Sequence, residues 1–342
     1  MFDLQKLLRE NIRNLQPYSS ARSEYTGAGI FLDANENPFG KLNRYPDPEQ
    51  YKLKQKISET KSVPVENIFI GNGSDEVIDL VIRIFCTPAT DKLLIFTPTY
   101  GMYKVAAAVN DVELLEVSLN KDFQIDQTFL NDVINDKKLK VIFICSPNNP
   151  TGNCIDGVED ILQYFKGIVV LDEAYIDFAQ RPSFINQLHK YPNLIVVQTL
   201  SKAWGLAAAR IGIAYASVDI INYLAKVKPP YNISTLNQDA ALQALNNTAI
   251  FETNKTMLLR QKDLLKEQLD QLHIVKKVYP SDANFLLVET TDALMIYNAL
   301  VAQNIIVRNR SHVVHNCIRI SIGSPEENEQ LINAMKQIQS SI

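Results

Sequence analysis

Lys202 stands in the segment Gln198-Thr-Leu-Ser-Lys-Ala-Trp-Gly-Leu-Ala-Ala-Ala-Arg210, directly after the apolar run Leu194–Gln198. A lysine partly withdrawn from water loses basicity, and its neutral amine can then attack a carbonyl carbon. Thr199 and Ser201 flank it with hydroxyls, and Arg210, eight residues further on, can pair with a phosphate. Taken alone, the segment also reads as a surface loop, where most lysines lie.

Three other segments share this layout, a polar turn after an apolar run. In Ile68-Phe-Ile-Gly-Asn-Gly-Ser-Asp-Glu76 a strand enters a glycine turn and a helix opens at Ser74 or Asp75. The free N–H groups of such a helix start suit an anion, although a capped turn has the same look. A dinucleotide fingerprint would want a third glycine where Glu76 stands. In Cys145-Ser-Pro-Asn-Asn-Pro-Thr-Gly152, Pro147, Pro150 and Gly152 make a rigid loop that carries the amides of Asn148 and Asn149; an ordinary Asn-Pro turn is the alternative. In Val170-Leu-Asp-Glu-Ala-Tyr175 an acid pair ends an apolar run. Asp172 is expensive to bury without a partner, and a protonated ring nitrogen would be one. Tyr175 can offer its phenol to the same ligand. A Mg²⁺-holding acid pair of a nucleotide hydrolase should come with a P-loop, and the sequence has none.

The elements that must position these residues follow from periodicity. Ile68–Ile70, Leu93–Phe96, Val141–Cys145, Ile168–Leu171, Leu194–Gln198 and Ile211–Tyr215 are near-continuous apolar runs, as in strands buried on both faces. Between them lie helical patterns such as Asp75–Cys86. This alternation predicts an α/β fold: a large domain with a mostly parallel sheet flanked by helices, over residues 40–240. Beyond residue 240 come a helical pattern over Thr253–Gln271, strand candidates Asn284–Val288, Ile305–Val307 and Ile318–Ile322, and a helix over Glu326–Ser340. They predict a smaller α+β domain of residues 241–342, joined by residues 1–39. That N-terminal segment, too short for a domain, begins with an amphipathic helix (Leu4, Leu7, Leu8, Ile12) and is expected on the small domain or across a subunit interface. Four loops at the carboxyl ends of strands in one sheet then bring an anion cradle, amide donors, an acid and a lysine to the same edge. These are the parts that pyridoxal phosphate requires.

Composition narrows the setting. The 342 residues carry a net charge of −4, which implies no basic face for nucleic acid. No apolar run approaches the ~18 residues of a membrane span, and the N-terminus lacks a signal-peptide pattern. Four cysteines at Cys86, Cys145, Cys154 and Cys317 fit no zinc or redox spacing and predict free thiols in a cytoplasmic protein. His312 and His315 lack the further ligands a metal site needs.

The order of the motifs resembles the fold-type-I aminotransferases, and among them the histidinol-phosphate aminotransferases. Leu32-Asp-Ala-Asn-Glu-Asn-Pro38, Asn43-Arg-Tyr-Pro-Asp-Pro48, Pro98-Thr-Tyr-Gly-Met-Tyr103 and Cys317-Ile-Arg-Ile-Ser-Ile-Gly323 extend the resemblance over nearly the whole chain. It implies the following roles. Lys202 links to the cofactor aldehyde and later shuttles a proton. Asp172 pairs with the pyridinium nitrogen, Asn149 and Tyr175 contact the 3-oxygen, and Tyr100 stacks on the ring. Ser74 and Asp75 (through backbone N–H groups), Thr199, Ser201 and Arg210 hold the cofactor phosphate. Tyr45 reaches the cofactor phosphate of a neighbouring subunit, which implies a homodimer. Arg319 takes the acidic end of the substrate, and Arg308 its phosphate, with Tyr18 and Asn35 nearby. The run Arg308–His315 leaves Arg308 and Arg310 both open for that phosphate. Implied substrates are histidinol phosphate and 2-oxoglutarate, or in reverse imidazole-acetol phosphate and glutamate. Threonine-phosphate decarboxylases share the motifs, and aromatic or broad-range aminotransferases share most of them. Aminotransferase-like ligand sensors carry a DNA-binding module, and no helix-turn-helix pattern precedes the motifs here.

Overall fold

A computed structural model of the chain describes residues 2–18, 29–126, 128 and 133–341. Seven strands share one sheet: β1 (Ile68–Asn72), β2 (Lys92–Thr97), β3 (Glu113–Ser118), β4 (Leu139–Cys145), β5 (Ile168–Asp172), β6 (Leu194–Thr199) and β7 (Ile211–Ala216). Their order is β1-β7-β6-β5-β4-β2-β3. All pairs are parallel except those of β7, which runs against both β1 and β6. Two reversals cancel, so β1 points the same way as β4, β5 and β6. The chain therefore leaves all four strands at one edge.

The apolar runs are continuous because both faces are covered. Strand pleating sends successive side chains to opposite sides. In β5, Val169 and Leu171 enter one core while Ile168 and Val170 enter the other. Leu53 and Ile57 of the helix Tyr51–Lys61 pack into the first core. Val77, Ile78, Val81, Ile82 and Phe85 of the helix Ser74–Phe85 fill the second. Each such fully buried aliphatic or aromatic side chain contributes about 1.5–3 kcal/mol by leaving water, which fixes the strand ends that carry the polar loops.

A second, antiparallel sheet has the order β10-β11-β9-β8, from β8 (Val275–Val278), β9 (Phe285–Thr290), β10 (Arg308–Asn309) and β11 (Cys317–Ser321). The helices Ala293–Ala302 and Pro325–Ser340 and the end of Thr248–Asp270 cover it through Ile296, Leu300, Ile332, Met335, Leu265 and Leu269. The last helix starts at a capping box: Ser324 and Glu327 satisfy each other's backbone N–H. The fold is the expected α/β architecture, a large mostly parallel sheet with a smaller α+β unit. A small apolar cluster joins them, with Tyr175, Phe178 and Ala203 against Ala283 and Phe285.

Three local expectations differ from the structure. The N-terminal segment forms two short turns, Leu4–Leu7 and Glu10–Arg13, rather than one helix. These two turns pack on the large sheet's side rather than on the small unit: Leu4, Leu8 and Ile12 join the core of the helix Ser74–Phe85. The Arg9 backbone N–H and guanidinium bond the carbonyls of Ile84 and Arg83, which are free because they end that helix. Residues Ile305–Val307 form no strand; only Arg308 and Asn309 pair, at the sheet's edge.

Candidate active site

The four loops meet around a cavity of about 530 Å³. Its walls include Ser74, Asp75, Tyr100, Asn149, Asp172, Tyr175, Thr199, Ser201, Lys202, Arg210, Arg308, Arg310 and Arg319. Every predicted cofactor residue except Tyr45 is thus brought to one place. Tyr45, Tyr18 and Asn35 are exposed and lie outside this cavity. Tyr45 stacks on Tyr231, ring centroids 4.4 Å apart. His312 and His315 are exposed too, and no group of three or more potential metal ligands converges among the described residues.

The anion cradle is shaped by glycine. Gly73 precedes the first helical residue with φ +79°, ψ 165° and no side-chain cap, so the helix's first N–H groups face the cavity edge. A Cβ on Gly73 would stand 2.4 Å from the Arg210 guanidinium. A Cβ on Gly212, in β7, would stand 2.2 Å from the Gly73–Ser74 peptide. Fixed backbone excludes a side chain at Gly212, whereas one at Gly73 would have to displace the Arg210 guanidinium; the Gly73 N–H bonds the Arg210 carbonyl at 2.8 Å. Arg210, itself at φ +51°, donates to Asp75 at 3.3 Å. Tyr100 donates to the other Asp75 oxygen at 3.0 Å. Thr199 and Ser201 share a hydroxyl hydrogen bond of 2.9 Å beside them. Helix N–H groups, two hydroxyls and a guanidinium form a donor set for a phosphate.

Asp172 is the buried acid of the site. Tyr103 donates to one carboxylate oxygen at 2.7 Å and the Ala174 N–H to the other at 3.0 Å. Burial raises its pKa, and the Tyr103 and Ala174 hydrogen bonds oppose that rise. No cation pairs with it among the described residues, so a protonated ring nitrogen would supply the missing charge. Sequence reasoning gives Tyr103 no role at the site, and the structure adds it. It sits one helical turn beyond Tyr100 on Met102–Val109, fully buried and stacked on Phe143 at 5.0 Å. Glu173, the second acid of the pair, turns away from the cavity. It accepts from Ser183, from the Phe184 N–H at 2.8 Å and from Gln198 at 2.9 Å.

Asn148 and Asn149 divide their work. Asn148 holds the loop, donating to the Pro98 carbonyl and to Thr151, each at 2.8 Å. Asn149 faces the cavity, donates to the Tyr175 hydroxyl at 3.4 Å and accepts from Arg319 at 2.5 Å. The Lys202 ammonium lies 5.6 Å from the Tyr175 ring centroid. Burial lowers its pKa, and the positive charge of Arg319 lowers it further, while Asp172 opposes them. The resulting amine is easier to deprotonate, as carbonyl chemistry needs.

The small sheet closes the cavity with charge. Arg308 and Arg319 sit directly opposite on β10 and β11, a like-charge pairing that costs stability. Arg310 stands two residues on, and its buried Nε has no partner. Burial lowers the pKa of both Arg310 and Arg319, and neighbouring arginines add to the effect. Three guanidiniums without a carboxylate partner among the described residues present a second cluster of cationic donors to the cavity, apart from the cradle.

Together, a lysine poised for a carbonyl carbon, a buried acid for a ring nitrogen, amide and phenol groups for a ring oxygen, and a phosphate cradle fit pyridoxal phosphate. The aminotransferase class I and II family model matches residues 26–335, and the chain belongs to that family. Within it, the chain is similar to the histidinol-phosphate aminotransferase of Cytophaga hutchinsonii, 50% identical over 98% of this chain and 99% of the relative. It is likewise similar to that of Parabacteroides distasonis, 51% identical over 99% of each. The solved structure of histidinol-phosphate aminotransferase from Sinorhizobium meliloti in complex with pyridoxal-5'-phosphate has the same fold: TM-score 0.80 at 24% identity, covering 90% of each chain.

Proposed function

We propose that the chain transfers an amino group reversibly between L-histidinol phosphate and 2-oxoglutarate, giving imidazole-acetol phosphate and L-glutamate, in histidine biosynthesis. The observation that carries this reading is a single cavity holding Lys202 and Asp172 together with three arginines that lack carboxylate partners among the described residues. Pyridoxal phosphate, when bound, supplies an aldehyde carbon and an electron-withdrawing protonated ring. Asp172 keeps the proton on the ring nitrogen. Asn149 and Tyr175 hold the 3-oxygen, and Tyr100 covers the ring. Ser74, Asp75, Thr199, Ser201 and Arg210 hold the phosphate. With the cofactor bound, the Lys202 amine, whose basicity burial lowers, would move a proton at the substrate's α-carbon. Arg319 takes the substrate's acidic end, and Arg308 or Arg310 its phosphate.

The working form in this reading is a homodimer. Ile30, Leu32 and Phe39 are 92%, 90% and 82% exposed, a cost that a second copy packed on this arm would relieve. Tyr45 then reaches the partner's cofactor phosphate, and Tyr18 and Asn35 meet the substrate. Four free buried cysteines suit the cytoplasm. No helix among the described residues is long and apolar enough to cross a membrane. The test is a substrate panel. Glutamate should form when histidinol phosphate and 2-oxoglutarate are supplied. CO₂ release from threonine phosphate would favour a decarboxylase, and faster turnover of aromatic amino acids a broad-range enzyme.

A further inference from the structure

Lys228 is a buried lysine that the reaction above does not use. It is 8% exposed and forms no ion pair among the described residues. Its ammonium instead donates to three backbone carbonyls: Pro48 at 2.8 Å, Pro230 at 2.9 Å and Pro229 at 3.4 Å. An ammonium has three protons and no acceptor, so this set matches its full capacity. The carbonyls come from two segments far apart in sequence. One follows Tyr45 by three residues, and the other leads directly into Tyr231. Lys228 thus ties together the two backbones that bear the stacked Tyr45–Tyr231 pair. Proline has no N–H, and the bonds local to the Pro48 turn, Asp47 accepting from the N–H groups of Glu49 and Tyr51, do not reach the Pro229–Pro230 segment, so the ammonium joins what local bonds leave separate.

Neighbouring bonds extend the knot to the cradle. Gln50, buried at φ +49°, donates to the Pro48 carbonyl at 2.6 Å and to Asn232 at 3.4 Å. Asn232 in turn donates to the Ile70 carbonyl at 3.0 Å and to Glu76 at 2.8 Å, in the middle of β1 and the first turn of the helix that follows it. The two backbones that carry the Tyr45–Tyr231 stack are therefore tied to each other and to β1, and Tyr45 lies outside the cavity of its own chain. We propose that Lys228 is a positioning residue that fixes Tyr45 as a preformed phosphate contact for the active site of a second copy of this chain. A lysine serves better than an apolar residue because only a cation satisfies three carbonyls at once.

The assignment rests on the shared-site reading of Tyr45, and hybrid dimers separate the two. Lys202→Ala disables its own site but keeps Lys228 and Tyr45. Lys228→Met keeps Lys202 but loosens Tyr45. The Lys228→Met homodimer should bind pyridoxal phosphate about tenfold more weakly or worse, with partial rescue in Lys228→Arg. A hybrid of Lys228→Met with Lys202→Ala pairs an intact Lys202 with an intact partner Tyr45. Assayed at a pyridoxal phosphate concentration that fills wild-type sites but leaves those of the Lys228→Met homodimer mostly empty, it should recover about half of the wild-type activity, one site in two. Tyr45→Ala with Lys202→Ala is the control and should recover likewise. If the control recovers and the Lys228→Met hybrid stays at its parents' mean, Lys228 acts only within its own subunit and the proposal fails. If neither recovers, the shared-site reading fails and takes the proposal with it. Tyr231→Leu, which removes the stacking partner and leaves the ammonium knot, should behave as Lys228→Met does. Should Lys228→Met not fold, the hybrid of the milder Lys228→Arg with Lys202→Ala decides the same question.

Discussion

Gly73→Ala separates the cradle's phosphate chemistry from the rest of the site. Two costs follow from the geometry. Gly73 lies at φ +79°, ψ 165°, a region nearly closed to other residues, so alanine there costs stability of about 1–3 kcal/mol. The new Cβ also lies 2.4 Å from Arg210 Nη2, and one of the two must move. The Arg210 side chain is 45% exposed and free to swing outward, away from Asp75 and from any bound phosphate. A hydrogen bond to a charged group is worth about 1.5–3 kcal/mol, and solvent screening at this exposure puts Arg210 at the low end. The dissociation constant of pyridoxal phosphate should therefore rise about tenfold. Pyridoxal, which has the ring and aldehyde but no phosphate, should bind the variant as it binds the wild type. Absorbance titrations with both ligands, on protein shown to be folded by circular dichroism, measure this. Equal weakening of the two ligands, or none for the phosphorylated one, would refute the cradle.

The arginines of the small sheet give a second test. Arg308→Met and Arg310→Met should each be assayed with histidinol phosphate and with glutamate. The one that meets the substrate phosphate should raise KM for the phosphorylated substrate about tenfold or more, with less change in kcat. Glu173 gives a pH test. Burial raises its pKa from 4.5 to about 7. Between those values the native state holds a proton that the unfolded state has lost, so stability should fall as pH rises through this window. The whole effect is about 3 kcal/mol by linkage. Glu173→Gln should flatten that slope in denaturant titrations at stepped pH, and an unchanged slope would reject Glu173 as its source.

Much of this is legible from residue order because the strands bearing the site are buried on both faces. The runs at β4, β5 and β6 are apolar throughout, and the polar residues after them can only be loop residues at a strand's end. Two of the edge strands, β3 and β8, do not announce themselves this way. β3 reads Glu-Leu-Leu-Glu-Val-Ser with only Val117 buried, and β8 carries two exposed lysines between its valines. The cofactor residues are visible as types at recognisable spacings. Tyr103 and Lys228 are not, because their partners lie 69 and 180 residues away and only folding joins them. The docking side of the N-terminal turns is hidden for a similar reason. The apolar stripe of Leu4, Leu8 and Ile12 shows that they pack, but not against which core.

Every role proposed around the cavity depends on one proposed link, a bond between the Lys202 nitrogen and the cofactor's aldehyde carbon. Borohydride reduction of the protein loaded with pyridoxal phosphate, followed by peptide mapping, tests it directly. The pyridoxyl label should fall on Lys202 alone and vanish in Lys202→Ala. A label on any other lysine in the native protein would contradict the account.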